Sequence, residues 1–125
     1  MTFGQAPKLP GGSKFHWTNH VVRKMGFYGL TPSRVLRVIR APERVEEGIV
    51  DGTLAAMQTA GTKAKPWEVW VMWREEQKKR AIKDILNPNK KVIITAWRYP
   101  GVSPVRERAP LPPGVLAELE AEGEI

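Results

Sequence analysis

One histidine and two basic residues lie within five positions near the N-terminus: His20, Arg23 and Lys24. A helix advances about 100° per residue, so these three side chains share one helical face. Neighbouring cations lower the pKa of a histidine, which favours a neutral imidazole that can accept a proton. Guanidinium and ammonium groups can hold a phosphate beside it. This combination suits metal-free cleavage of RNA by its own 2′-hydroxyl.

A second cluster lies near the end of the last apolar run. In a strand, Thr95, Trp97 and Tyr99 share one face, and Arg98 lies on the other face near the strand end. A hydroxyl, an indole and a phenol side by side could bind a phosphate and stack a base. The alternative is that Trp97 packs in the core and Thr95 merely suits a strand.

Several other chemistries lack their residues. The chain has no cysteine, which excludes thiol catalysis and thiolate zinc sites. No phosphate-binding glycine loop, dinucleotide motif or serine-hydrolase motif is present. His16 and His20 are four residues apart, but no His-Glu-x-x-His pattern surrounds them, so we expect neither a metal nor a cofactor. We group His16 with the RNA-binding residues instead.

Charge is unevenly distributed along the 125 residues. Lys and Arg number 20 against 13 Asp and Glu, a net charge of +7. Residues 1–105 carry a net +10, whereas residues 106–125 carry −3. A strongly basic domain predicts a polyanionic partner, most commonly nucleic acid. The alternative is a basic protein whose charge serves solubility alone.

Two short helices must position the first cluster. Thr18 is a good N-cap for a helix to about Met25, with Gly26 as its predicted end. Thr31-Pro32 begins a second helix that Pro42 ends. The second helix carries an arginine stripe, for which phosphate contact and simple solvation are equally compatible: Arg34, Arg37 and Arg40.

The remaining sequence predicts a sheet and a tail. Strands are expected at 44–50, 54–59, 67–74 and 91–98, with a turn at Asp51-Gly52; residues 75–88 suit either a short helix or a ragged hairpin. A proline-rich linker at 101–113 and a short acidic helix at 115–122 follow. We therefore expect an α+β fold, two short N-terminal helices on a four-stranded antiparallel sheet, with a leader at 1–14, the domain at 15–99 and the tail at 100–125. The apolar runs are too short to cross a membrane and no secretory signal is visible, so we expect a cytoplasmic location.

The helical segment from Thr18 to Met25, Leu30-Thr31-Pro32 and the later run Ile94-Thr95-Ala96-Trp97-Arg98 together resemble a bacterial family, domain of unknown function 4258, over residues 15–99. That family is similar to RelE/ParE and BrnT toxins and to the nuclease domain of colicin D. The resemblance implies a RelE-like fold, metal-independent RNA cleavage and an acidic antitoxin as partner. By the same resemblance, His20 would be the acid or base, and Arg23 and Lys24 would bind phosphate. The site residues of the last strand would be Thr95, Trp97 and Arg98.

Three hypotheses follow. The first is an endoribonuclease toxin that cleaves RNA, with tRNA or ribosome-bound mRNA as candidate substrates. The second is a non-catalytic module that binds nucleic acid or the ribosome. The third is a protein-interaction domain that uses the Trp67–Trp73 strand, with the acidic tail folded over the chain's own basic surface.

Overall fold

The computed structural model of the chain describes residues 9–76, 90–105 and 108–125. A short 3-10 turn at Gly12–Lys14 leads into the first strand. The elements in chain order are β1 Phe15–Trp17, α1 Asn19–Tyr28, α2 Pro32–Arg40, β2 Arg44–Glu47, β3 Thr53–Gly61, β4 Pro66–Glu75, β5 Lys91–Pro100 and α3 Val115–Ala121.

The sheet is five-stranded and mixed, with the order β1-β5-β4-β3-β2. β1 pairs with β5 in parallel, and every other neighbouring pair is antiparallel. The prediction of a four-stranded antiparallel sheet is therefore wrong. Phe15–Trp17 contains only three residues, too few for an alternating pattern, and it becomes a strand through pairing with the last strand.

Helix α1 begins where predicted but runs further. The Thr18 side chain accepts a hydrogen bond from the Val21 amide, which confirms it as the N-cap. The predicted end at Gly26 is wrong, because the helix continues to Tyr28 and ends at Gly29, whose φ is 68°. An interior glycine costs a helix only about 1 kcal/mol, which docking against the sheet can offset.

Helix α2 and the turn between β2 and β3 agree with the prediction. Thr31 caps α2, Pro32 occupies its first turn, and the helix ends at Arg40. The turn includes Gly52 with a φ of 82°, a conformation that glycine adopts readily.

Both faces of the sheet are covered. Helices α1 and α2 cover one face with an apolar set that includes Val21, Met25, Val35, Leu36 and Val38. The C-terminal segment (residues 108–125) covers the other face with Ala109, Val115 and Leu119. The helix predicted at 115–122 is present as α3, and it packs on the sheet together with Ala109 of the preceding linker, which is thus not a free spacer.

The tryptophan-rich strand β4 lies inside the protein. Trp70 is fully buried and stacks on Trp97 with ring centroids 5.9 Å apart. Trp73 is also buried, whereas Trp67 is only partly covered. The third hypothesis required an exposed tryptophan face on this strand for a partner, and β4 does not offer one.

A bulge in the pairing of β4 with β5 determines where Thr95 points. Met72 pairs with Thr95 and Trp73 with Ile93, so Ile94 is an extra residue in β5. Thr95 consequently shares a face with Met72, on the side that the C-terminal segment covers. The bulge lies beside the start of α1, which brings a helix terminus and a strand irregularity together.

The connection from β4 to β5 lies mostly outside the described residues, and with it the predicted helix or hairpin at 75–88. At its base the Glu76 amide donates to the Lys90 carbonyl at 2.7 Å. None of the helices in the described parts of the chain is long and apolar enough to cross a membrane.

Candidate active site

Thr18 fixes the start of α1 against the last strand. Its hydroxyl lies 3.0 Å from the carbonyl oxygens of both Ile93 and Ile94, at the bulge, and its oxygen caps the helix at the Val21 amide. This single side chain joins the two elements that carry the predicted clusters. His20, two residues later, is thereby held beside Thr95.

His20 is buried, with 0% of its surface exposed. Its Nε2 lies 3.0 Å from Thr95 Oγ1, and its Nδ1 lies 2.8 Å from Glu122 Oε2. The expectation that the ring lies on a solvated helix face is therefore wrong. The first turn of α1 faces the edge of β5, and Glu122, just beyond the end of α3, covers the remaining side of the ring.

The hydrogen-bond partners define the protonation of the neutral ring. A carboxylate only accepts, so Nδ1 carries the proton and donates to Glu122, while Nε2 accepts from the Thr95 hydroxyl. The sequence carboxylate–imidazole–hydroxyl resembles a nucleophile triad in its connectivity. Thr95 is only 1% exposed, however, so no substrate reaches its hydroxyl in this arrangement.

Two carboxylates from the C-terminal segment pair with the two basic residues of α1. Glu122 also accepts from Arg23, and Lys24 Nζ lies 3.0 Å from Glu118 Oε2. These four side chains and Phe27 line an open groove of about 380 Å³. The groove lies on the outward side of His20 and is the place where an anion would approach the ring.

Burial lowers the pKa of His20, and the positive charges of Lys24 and then Arg23 lower it further, while Glu118 and Glu124 act in the opposite direction. A carboxylate in contact with Nδ1 would by itself favour the imidazolium. Burial and the two cations prevail, so the pKa of His20 lies below its ordinary value of about 6.5 and the neutral ring predominates at neutral pH.

The pKa of Glu118 is also lowered, mainly by its hydrogen bond with Lys24. Its carboxylate therefore stays ionised across the neutral range. The contact between α1 and the α3 region thus joins two cations of α1 to two carboxylates of the C-terminal segment.

The second predicted cluster is only partly assembled around His20. Thr95, Trp97 and Tyr99 do share a face, because their partners on β4 are Met72, Trp70 and Glu68. Trp97 is 1% exposed and stacked on Trp70, so its ring lies in the core and offers no free face to a base in this arrangement. Thr95 contacts the histidine, and Tyr99 is a half-buried residue against the core of that face.

Arg98 is not brought to the histidine. Its guanidinium lies 4.3 Å from the ring centroid of Trp67, on the opposite face of the sheet from Thr95. It also lies near Gly29, at the far end of α1 from His20. The structure therefore does not bring Arg98 together with His20 and Thr95, with which it was grouped as a catalytic residue.

The arginines of α2 form a separate surface. Arg37 and Arg40 are exposed, and Arg40 lies 5.9 Å from the ring centroid of Phe15. Arg34 is partly buried and donates to Gln58, and burial lowers its pKa. His16 is exposed on β1, and within the described residues the hydrogen bonds of the His20 ring go to Glu122 and Thr95, not to His16.

Phe27 was not predicted as a site residue, and Glu118 and Glu122 were expected only as two of the four acids of a tail folded over the basic surface, together with Glu120 and Glu124. The excess of acid in the last twenty residues was the available signal for the two glutamates. The Phe27 ring is 76% exposed beside Lys24, whose Nζ lies 5.6 Å from its centroid. Only the position of the groove reveals it, because the sequence does not separate exposed from buried aromatic residues.

Comparisons with known proteins found no relative of this chain: no family model, no curated protein and no solved structure matches it. The resemblance to domain of unknown function 4258 and to RelE-like toxins stays a prediction. Within the described residues, no group of three or more acidic or histidine side chains could hold a metal ion.

Proposed function

We propose that this protein is a metal-independent endoribonuclease whose base is Nδ1 of His20 and whose phosphate ligands are Arg23 and Lys24. One observation carries the proposal: a neutral imidazole is held on a buried hydroxyl while its outward nitrogen contacts an anion that a guanidinium also binds. That anion is now the Glu122 carboxylate, and we assign its place to the reacting part of the substrate, with the 2′-hydroxyl at Nδ1 of His20 and the adjacent phosphate at Arg23.

The hydroxyl of Thr95 suits both protonation states that such a base needs. With Glu122 bound, it donates a hydrogen bond to Nε2; with a substrate hydroxyl at Nδ1, the imidazole adopts the other tautomer and its Nε2–H donates a hydrogen bond to the Thr95 hydroxyl. Thr95 is thus a positioning residue and not a nucleophile. The lowered pKa of His20 supports the role of a base, because the ring is ready to accept a proton at neutral pH.

The proposed reaction is a transesterification. Nδ1 of His20 takes the proton of a ribose 2′-hydroxyl, the 2′ oxygen attacks the adjacent phosphorus, and the bond to the 5′ oxygen breaks. The leaving oxygen takes a proton from the imidazolium or from water, which leaves a 2′,3′-cyclic phosphate and a 5′-hydroxyl. Arg23 and Lys24 stabilise the charge that develops on the phosphoryl oxygens.

The biological setting is part of the same proposal. We propose the toxin half of a toxin–antitoxin pair, acting in the cytoplasm on tRNA or ribosome-bound mRNA. The resemblance suggests this role, and the net charge of +7 supports an RNA substrate. Its acidic antitoxin would neutralise the same cations that Glu118 and Glu122 neutralise here.

The test is cleavage of total RNA in the presence of a chelator. The full chain and a Glu122→Gln variant are each compared with the same protein carrying His20→Ala. We expect cleavage that yields 2′,3′-cyclic phosphate ends, with the histidine variants slower by about 10²–10⁴-fold, as expected for loss of a general base. Intact RNA with all four folded proteins would refute the catalytic proposal.

A second candidate is a non-catalytic RNA-binding module, which the exposed arginines Arg37 and Arg40 favour. Such a module would bind RNA with a steep dependence on salt, and His20→Ala would leave its affinity unchanged. Tight binding without cleavage in any variant would support this candidate.

A further inference from the structure

We propose that the end of the C-terminal segment is a tethered inhibitor of the RNA site, in which the carboxylates of Glu118 and Glu122 occupy phosphate positions that an RNA strand must take over. This inference rests on the proposed function, because it concerns the regulation of the same site. It assigns a role to α3 that the proposed chemistry does not by itself require.

The two nitrogens of the His20 imidazole differ in their access to solvent. Nε2 of His20 faces Thr95, which is buried in the protein, so a substrate cannot approach from that side. Nδ1 faces Glu122, which is partly exposed and lines the open groove. The ring can meet a substrate only from the side where Glu122 lies, so this carboxylate must move before the base can act.

The two acids are arranged so that they face the two cations of α1. Glu118 and Glu122 are four residues apart on the same side of the α3 region, about 6 Å along a helix axis. Glu118 pairs with Lys24 and Glu122 with Arg23, so each acid has its own cation. Two anions in a row opposite two cations reproduce the pattern that neighbouring phosphates of one strand would present.

The apolar and acidic residues of the α3 region face different surroundings. Val115 and Leu119 anchor the helix in the core, whereas the two acids face the groove. Glu120 is exposed, and no ion pair is recorded for it within the described residues. Because the tether keeps the acids at a high effective concentration, they exclude small anions, whereas an RNA strand competes through many contacts at once.

A different role for Glu122 makes the opposite prediction. A carboxylate bound to Nδ1 could orient the imidazole for catalysis, as in a triad. Removing such an orienting group would slow cleavage without tightening RNA binding. Removing an inhibitor tightens binding and raises the rate.

The experiment separates binding from cleavage. The probe is a labelled single-stranded RNA with 2′-O-methyl groups throughout, which no 2′-hydroxyl mechanism can cleave. The double variant Glu118→Gln with Glu122→Gln is compared with the wild-type chain and with Glu47→Gln with Glu120→Gln, which removes two negative charges from exposed residues outside the groove. We expect binding about tenfold tighter in the first variant, equivalent to about 1.4 kcal/mol, and less than threefold tighter in the second.

Histidine acylation by diethyl pyrocarbonate supplies an independent measure. His16 is exposed and serves as the internal standard, whereas His20 is buried under Glu122. We expect His20 to react slowly in the wild-type chain and to approach the rate of His16 in the variant that lacks Glu118 and Glu122 carboxylates. Thermal unfolding confirms that each variant is folded, since Val115 and Leu119 are untouched.

The outcomes distinguish the two proposals. Tighter binding and a reactive His20 without cleavage of unmodified RNA would support the tethered inhibitor and refute the nuclease. Cleavage by the wild-type chain with equal binding in all three proteins would keep the nuclease and overturn the inhibitor. Slower cleavage without tighter binding in the first variant would assign Glu122 to orientation and also overturn the inhibitor.

Discussion

Nδ1 of His20 lies 2.8 Å from Oε2 of Glu122, a residue that follows it by 102 positions in the chain. This contact joins the second residue of the first helix to the end of the last one. It completes the burial of the imidazole and places an anion between the ring and Arg23. The site is therefore defined as much by the acidic end of the chain as by the basic helix.

The hydroxyl of Thr95 should be needed to hold the imidazole. In Thr95→Val, Nε2 of His20 would be buried without a partner, and we expect the free energy of unfolding to fall by about 1–3 kcal/mol. Thr95→Ser keeps the hydroxyl and removes one methyl group, which costs about 1 kcal/mol. Denaturant unfolding measures both.

Cleavage by the same two variants tests the positioning role. Thr95→Ser should keep both the rate and its pH profile, whereas Thr95→Val should lower the rate and alter the profile. If Thr95→Val matched Thr95→Ser in stability and in pH profile, the hydroxyl would not position His20.

Stability should fall as the pH drops through the ordinary range of histidine. The pKa of His20 is lowered in the folded protein by burial, then by Lys24 and Arg23. Below its unfolded value of about 6.5, the unfolded chain binds a proton that the folded chain resists, so the free energy of unfolding decreases. One proton limits this slope to about 1.4 kcal/mol per pH unit.

The measurement is the free energy of unfolding from about pH 7.5 to about pH 5. His20→Gln should remove this part of the pH dependence, so the wild-type and variant curves should diverge in slope as the pH falls below about 6.5. Parallel curves would mean that His20 titrates alike in both states. At lower pH a second loss is expected from Glu118, whose lowered pKa makes its protonation unfavourable to the fold.

Local sequence patterns were sufficient for much of the fold. Thr18 and Thr31-Pro32 carry their capping chemistry in the side chain and ring, so both helix starts could be predicted. Apolar runs rich in aromatic and β-branched residues marked β4 and β5, and Asp51-Gly52 marked a turn. These signals depend on residues within a few positions of one another.

The errors have a common physical origin in contacts between distant segments. β1 exists through its pairing with β5, and the Ile94 bulge through the registers of β4 and β5. The burial of His20 depends on Glu122, which no helical wheel of α1 can reveal. The net charge of −3 in the last twenty residues did suggest a tail over a basic surface, but not which carboxylate would meet the imidazole.

Phe27 should stack a base in the groove. Its ring is 76% exposed, lies edge-on to Tyr28 and lines the groove with Arg23 and Lys24. We expect Phe27→Ala to weaken binding of single-stranded RNA by about 1–3 kcal/mol and to leave stability within about 0.5 kcal/mol. Phe27→Tyr keeps an aromatic face and should retain the affinity; equal weakening in both variants would exclude stacking.

Leu119 should be a core residue although it belongs to the acidic tail. It is fully buried against the sheet face that carries Trp70 and Trp97. We expect Leu119→Ala to lower the free energy of unfolding by about 2–5 kcal/mol, whereas Leu116→Ala, at a half-buried position, should cost about 1 kcal/mol or less. Urea denaturation measures both, and equal costs would show that α3 does not pack on the sheet as a core layer.

The arginines of α2 should contribute to RNA binding through charge alone. Arg37 and Arg40 are exposed, so each would release a counterion on meeting a phosphate. For single-stranded RNA, changing both to Gln should flatten the plot of log affinity against log salt by about 0.7 for each residue. Arg74→Gln is the control, because Arg74 is exposed at the end of β4, near the Gly52 turn. An unchanged slope in the α2 variant would mean that this helix faces solvent while RNA occupies the groove, since phosphate contacts and salt dependence rise and fall together.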